Sequence, residues 1–342
     1  MDGRMVNPGP DDEDQKFDQT LRPTSLDELY GQDKIKEQLR IAIEAAKQRG
    51  EAMDHVLLYG PPGLGKTTIS YVIARELGVD IHPTSGPLLE RPGELAGILT
   101  KLGLRDVLFI DEAHRINRVV EEYLYSAMED FKIDILIDQG PQARSVSIPL
   151  EPFTLVGATT RQALLTSPMR SRFGITLNLD YYTVDELAAI VHRDARLRRF
   201  EVDLEGAMEI ARRSRGTARI AKRWLRRVRD YAQVRGDGLV NSAVVAQALD
   251  NLNVDALGLE ELDLKLLEAV VDKFDGGPVG LGNLAAVIGE DEDTIQDVYE
   301  PYLIKEGFLK RTPRGRQAMA RAYEHLGRPR PRRGNGDQLE LL

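Results

Sequence analysis

The stretch His55 to Thr68 reads HVLLYGPPGLGKTT and holds a full G-x-x-x-x-G-K-[ST] match from Gly60 to Thr67. An apolar run (Val56, Leu57, Leu58, Tyr59) precedes it, and residues at helical apolar spacing (Ile69, Val72, Ile73, Leu77) follow. Strand, loop and helix in that order are the context in which the motif cradles phosphate. Glycines at 60, 63 and 65 let successive N–H groups curl around phosphate oxygens, and the helix opening near Lys66 points its positive dipole end at them. Lys66 supplies a point charge for the β and γ phosphates. Thr67 offers a hydroxyl to Mg²⁺, a cation that keeps most of its water and takes few protein ligands.

Two carboxylates belong to the same chemistry. DVLFIDEAHRI reads as a strand that is apolar throughout from Val107 to Ile110, as a central parallel strand should be, and ends in Asp111 and Glu112. In an open α/β sheet the carboxyl edge is where ligands bind, so both acids fall beside the glycine-rich loop. Asp111 is suited to hold Mg²⁺ through water, and Glu112 to polarise an attacking water. PFTLVGATTRQ ends another strand at Thr159, Thr160 and Arg161 on that edge. Arg170 and Arg172 lie on a short helix between Ser167-Pro168 and Phe173-Gly174. By themselves, two such arginines read as a solvated surface.

The elements that must carry these residues follow from the apolar spacing. Residues 1 to 20 are a polar, acidic arm with little to bury, which predicts disorder. Residues 21 to 182 predict an α/β P-loop domain with a parallel sheet between helices; Ile35, Leu39, Ile43 and Ala46 stripe its first helix, and Val119, Tyr123, Leu124 and Ala127 a later one. Inside it, residues 133 to 149 alternate as a hairpin around Gly-Pro, and Ile133, Ile135 and Ile137 are either core or an apolar handle for a partner. From 183 to 256 the strands stop and four helices predict a small all-α lid. Its third helix carries Arg219, Lys222, Arg223, Arg226, Arg227 and Arg229, which read mostly as a solvated face opposite Ile220, Trp224, Leu225 and Val228.

Residues 257 to 327 spell helix, helix, helix, strand, turn, strand and helix, the order of a winged-helix head. Its third helix bears Glu290, Asp291, Glu292, Asp293, Asp297 and Glu300, six carboxylates that would repel phosphate, so that helix is not expected in a groove. The wing around Thr312-Pro313 is basic instead, with Lys310, Arg311, Arg314 and Arg316, and can reach backbone phosphates.

Composition sets the limits. The 342 residues contain no cysteine and five scattered histidines, which excludes disulfides and thiolate metal sites and leaves no zinc pattern. No apolar run approaches the roughly 20 residues of a membrane span, and the acidic start is unlike a signal peptide, so a cytoplasmic protein is expected. The net charge of −9 hides a segregation, because residues 301 to 342 carry ten Lys/Arg against four Asp/Glu. A DNA contact is therefore expected at that end.

With the P-loop, DEAH, GATTR, PMRSRFG, GTARIAKRWLRR and GFLKRTPRGR in view, the chain resembles the RuvB family of bacterial Holliday-junction branch-migration motors, of the AAA+ class, from about Leu21 to Leu326. The resemblance implies an ATP-driven motor that translocates duplex DNA in recombination and repair. It implies Gly63, Gly65, Lys66, Thr67, Thr68 and Asp111 as the ATP and Mg²⁺ core, Glu112 as water activator, and Thr159 or Thr160 as γ-phosphate sensor, with Thr160 taken as the catalytic one. Arg172 resembles the arginine finger that reaches a neighbour's ATP, and Arg219 the residue by which the lid feels nucleotide. Leu21, Arg22 and Tyr182 match adenine-side contacts, Glu129, Asp130 and Phe131 a weaker set facing the neighbour's nucleotide, and Arg311 and Arg316 DNA contacts. The family also implies a homo-hexameric ring, RuvA docked on the 133–149 hairpin, and RuvC in the resolving complex. Ala113 and Gln162-Ala163 depart from the family pattern, the latter just after the sensor. An ATP-gated loader or regulator shares every ATPase motif and stays open as a reading; a transcriptional activator would need a loop such as GAFTGA, which is absent.

Overall fold

The computed structural model describes residues 22–136 and 145–330. The acidic arm, Leu21, the hairpin tip with Ile137, and the end of the tail lie outside the described residues. Five parallel strands form the central sheet: β1 (Val56–Tyr59), β2 (Ile81–Ser85), β3 (Val107–Asp111), β6 (Thr154–Thr159) and β7 (Ile175–Asn178), in the order β2-β3-β6-β1-β7. Strand β1, which feeds the glycine-rich loop, is flanked by β6 and β7. The alternation of strand residues sends Leu57, Leu108, Ile110 and Leu155 into one hydrophobic layer and Val56, Leu58, Val107, Phe109, Val156 and Ala158 into the other. Helices cover both faces, which is why the strands read as unbroken apolar runs.

Strand β7 is absent from the sequence expectation. ITLN sits at the sheet's edge with Thr176 and Asn178 exposed, and four half-polar residues carry too weak a pattern to separate from loop. The helix Asp33–Arg49 buries Ile35, Leu39, Ile43 and Ala46 as its spacing demands. In the helix Arg118–Asp130, Leu124 and Ala127 are buried as expected and Tyr123 is partly buried against the same core, with Val120 and Met128 beside them; Val119 is exposed, its N–H donating to the Asn117 side chain that caps the helix.

The inserted hairpin is β4 (Lys132–Leu136) against β5 (Ser145–Pro149), with Ile133 opposite Ile148 and Ile135 opposite Val146. Ile133 is fully buried in the core beside Phe153 and Leu150. As a handle for a partner it is therefore corrected: it is the hairpin's anchor. Val146 is exposed on the opposite strand.

Beyond the sheet lie four helices, Val184–Leu197, Leu204–Arg212, Ala218–Arg235 and Ser242–Asp250, packed around Trp224, Leu225 and Val228. Thr183 opens the first of them with a reciprocal capping box to Glu186. The basic helix is less solvated than its composition suggests. Lys222 pairs with fully buried Asp194 at 3.1 Å, and Arg223 pairs with Glu260 while lying over the Trp224 ring.

The head has helices Glu261–Glu268 and Leu281–Ile288, a third running from Glu292–Thr294 through Ile295–Tyr299 to Glu300–Lys305, then strands β8 (Leu309–Thr312) and β9 (Gly315–Ala318) and a final helix Ala320–His325. Strands β8 and β9 pair antiparallel with Arg311 opposite Arg316. A buried charge knot joins lid to head. Arg215, 4% exposed, donates to Asp263 (from Nη1 at 3.1 Å), to Glu260 at 3.0 Å and to the Gly258 carbonyl at 2.6 Å, and Asp263 has no exposure.

Candidate functional site

The site is assembled where β1, β3 and β6 end side by side. Register places Tyr59, the last residue of β1, beside Thr159 of β6, so the loop starting at Gly60 and the Thr159-Thr160 pair are neighbours. Gly63 and Gly65 take positive φ of 81° and 95°, which side-chain-bearing residues rarely adopt, and Gly65 opens the helix Lys66–Leu77. A Cβ at Gly63 would also stand 3.0 Å from the Cβ of Arg219, so the lid packs directly on the loop. Two bonds fix that docking: Arg219 N–H donates to the Gly63 carbonyl at 3.2 Å, and the Tyr182 hydroxyl donates to the Leu64 carbonyl at 3.0 Å. Burial pushes the Tyr182 phenol up to about 12, so it remains a donor.

Lys66 is 8% exposed, and its Nζ donates to the carbonyls of Gly60 at 2.8 Å and Pro61 at 2.9 Å. Burial brings the ammonium down to about 8, with the Asp111 carboxylate opposing the shift and Arg219 adding to it. Thr67 and Thr68 follow, both half-buried. Asp111 Oδ1 accepts the Glu112 N–H at 2.9 Å, which orients the carboxylate. Glu112 has φ +48°, an uncommon left-handed geometry for a side-chain-bearing residue at the turn where the strand ends. Gly86 makes that turn possible, since any Cβ there would strike the Glu112 carbonyl. Neither Gly86 nor the next residue of interest, His114, stood out in the sequence. The only signal for His114 was its place in DEAH.

His114 Nδ1 meets Thr159 Oγ1 at 2.9 Å, and the Arg161 N–H donates to the same hydroxyl at 3.0 Å. Thr159 is buried and so engaged; Thr160 is half-buried beside it. Burial holds the His114 imidazole below its ordinary value, against the pull of Glu112. A neutral ring keeps one nitrogen as acceptor for the threonine.

Arg172 is brought together with Glu129. Its Nη2 pairs with Glu129 Oε2 at 3.0 Å, Nη1 donates to the Pro168 carbonyl at 2.8 Å, and the guanidinium lies 4.2 Å over the Tyr125 ring. Asp130 pairs with Lys132, and Phe131 packs edge-on against Phe153 in the core. Arg22 lies 4.4 Å over the ring of Tyr71 on the helix that follows the phosphate loop.

Hydroxyl and carboxylate oxygens at Thr67 and Asp111 are hard donors that fit Mg²⁺. Among the described residues no cluster of three or more His, Cys, Asp or Glu could hold a metal alone, so a cation here has to arrive with phosphate and water ligands.

On the head, the two wing arginines are not equivalent. Both pair with Glu300, a carboxylate with no exposure, Arg311 at 2.6 Å and Arg316 through its Nε. Arg311's side chain is 49% exposed and Arg316's only 15%. Among the described residues no helix is long and apolar enough to cross a membrane.

Comparison with known proteins agrees along the chain. Residues 21–179 match the family model for the Holliday junction DNA helicase RuvB P-loop domain, 182–255 that for the RuvB AAA lid domain, and 256–327 that for the RuvB C-terminal winged helix domain. A solved structure of the Thermotoga maritima RuvB Holliday junction branch migration motor is 53% identical, covers 91% of this chain and 99% of its own, and superposes with a TM-score of 0.84. A point mutant of Thermotoga maritima RuvB is 54% identical over 91% of this chain and all of its own, with a TM-score of 0.85. The chain belongs to the RuvB family of Holliday junction DNA helicases.

Proposed function

We propose that the chain is an ATP-driven motor of Holliday junction branch migration in which Lys66 and the loop N–H groups hold the β and γ phosphates, and Thr67 and Asp111 hold Mg²⁺. The observation that carries this reading is one P-loop site, lid and winged-helix head in a single chain, each matched by the corresponding family domain. Mg²⁺ supplies charge neutralisation between the phosphates. Glu112 orients and deprotonates the attacking water. Thr160 senses the γ-phosphate, since the Thr159 hydroxyl is already engaged by His114 and Arg161. Arg219 and Tyr182 report the nucleotide to the lid through their bonds to the loop. Arg172, braced by Glu129 and Tyr125, serves a neighbouring subunit's ATP in a homo-hexameric ring. RuvA docks on the 133–149 hairpin around Val146, which lies on the same face as Ile133 and Ile148 but is exposed, with RuvC joining the resolving complex in the cytoplasm. Migration of a synthetic four-way junction, with ATP and with or without RuvA, tests the function. Tight, ATP-dependent junction binding without strand exchange would favour a loader.

Proton linkage offers a check on Lys66. The amine is held near 8 by burial in the free site, and bound phosphate restores its charge, so binding takes up a proton above that pH. Affinity for ATP should fall by up to about tenfold per pH unit above pH 8, with net proton uptake in calorimetry run in two buffers of different ionisation heat. An affinity constant between pH 8 and 9.5 would mean that the Lys66 amine has the same charge in the free and the bound site over that range.

The wing is expected to split. Arg311→Ala should weaken duplex binding without regard to sequence and flatten the log–log salt dependence by roughly 0.9, the signature of one lost phosphate contact. Both variants strip a partner from buried Glu300, at a cost of up to about 3 kcal/mol, and should lower the melting temperature, but Arg316→Ala, whose side chain is mostly buried, should do so with little change in the salt dependence. Filter binding across salt concentrations and thermal melts of both variants separate the two effects.

A further inference from the structure

The acidic third helix of the head makes an unexpected contact. Arg161, two residues past Thr159, donates from Nε to Asp297 at 2.6 Å and from Nη2 to Asp293 at 3.0 Å. These ion pairs join the sheet's ligand edge to the DNA head across more than 130 positions of sequence. Asp293 is 85% exposed, so its pair alone is worth little; Asp297 at 29% and Arg161 at 19% form the firmer joint. Seven residues beyond Asp293, about 10 Å along the same helix, Glu300 accepts both wing arginines. Three of the six carboxylates that seemed only to exclude phosphate thus have assigned cationic partners along one helix, and Asp297 and Glu300, the two less exposed of them, are three residues apart.

We propose that the helix from Glu292 to Lys305 is a coupling rod: Asp293 and Asp297 grip Arg161 beside the γ-phosphate sensor, Glu300 grips the wing, and loading of the wing by duplex phosphate is transmitted along it to ATP hydrolysis in the same subunit. The step has an energetic source. A backbone phosphate competes with Glu300 for the exposed Arg311, so DNA distinguishes the paired from the unpaired wing, and only such a differential interaction shifts a conformational equilibrium. At the sheet edge, Arg161's backbone N–H and the His114 ring share the Thr159 hydroxyl, so a displaced Arg161 disturbs the group next to Glu112. The charges of Arg161 and Asp297 both act on His114, as their proximity requires. Arg161, Asp293 and Asp297 are positioning residues here. The inference rests on the motor reading above.

The test uses the full chain with Asp293→Asn and Asp297→Asn combined, which removes charge and keeps shape. ATP hydrolysis is measured with and without duplex DNA, and duplex affinity by fluorescence anisotropy. The double variant should keep basal hydrolysis and duplex affinity, yet lose stimulation by DNA at least about fivefold, the low end of a coupling between two sites. Reversing the joint, Arg161→Asp with Asp297→Arg, should recover at least half of the lost stimulation. Full stimulation in the double variant, a fall in its duplex affinity or basal rate that accounts for the loss, or no recovery on reversal in a protein with a wild-type melt would each overturn the coupling rod while the motor reading stands. A wild-type protein whose hydrolysis ignores DNA would overturn both.

Discussion

Mixing Arg172→Ala protein with Lys66→Ala protein should restore ATP hydrolysis that neither performs alone. Phosphoryl transfer spreads negative charge over the γ-phosphoryl oxygens in its transition state, and an arginine delivered by a neighbour accelerates it by about 10³ to 10⁵-fold. We expect Arg172 to do this in the proposed ring. Its guanidinium is held on Tyr125 and Glu129, so little side-chain freedom remains to be lost when it meets a substrate. It is held by its own subunit's surface helices, on contacts separate from the loop that engages Lys66. At a mixed interface an intact phosphate loop from the Arg172 variant faces an intact finger from the Lys66 variant. Titrating one into the other at fixed total protein should give a rate that peaks near equal mixing. A flat profile, with mixed assembly confirmed by native mass spectrometry, would place the finger within its own subunit.

The second large effect is expected at Glu112. Replacing it with glutamine keeps the shape of the turn after β3 and leaves Asp111 oriented by the same backbone N–H, but removes the carboxylate proposed to take the water's proton. Turnover should fall by about 10² to 10⁴-fold while ATP binding survives. Glu112 reaches its position through a left-handed φ of +48° and pairs with Arg115 at 3.0 Å, so an aspartate, one methylene shorter, should rescue poorly. Single-turnover hydrolysis beside nucleotide affinity separates the two steps, and wild-type turnover in Glu112→Gln would mean the water is activated elsewhere.

What could be read from sequence was whatever a local pattern encodes. The phosphate loop, the strand running into Asp111-Glu112, the stripe of Ile35, Leu39, Ile43 and Ala46, and the helix-strand order of the head are all short-range periodicities or spacings, and the structure carries each of them. The misses share a physical origin in tertiary contact. Strand β7 is defined by its partner β1 more than by its own four residues. Ile133 alternates as well for a handle as for an anchor, and only the presence of Phe153 beneath the hairpin decides. The carboxylates from Asp293 to Glu300 look like one repulsive face until Arg161 and the wing arginines are folded against them. His114 becomes a partner of Thr159 only because β3 and β6 are adjacent, a fact of strand order that no window of residues contains.

The charge knot at Arg215 bears on how this molecule can come apart. The family boundary at 255/256 suggests a lid and a head that could each stand alone. Separating them there would leave Arg215 on one piece and Asp263 on the other, two ions that meet almost no water in the intact chain and would be hydrated once apart. In the intact chain the attraction within such a pair is set against the cost of keeping both ions from water, so the knot fixes how the lid meets the head more than it adds to stability. The boundary that sequence families draw therefore runs through a dry ion pair whose two partners lie on either side of it.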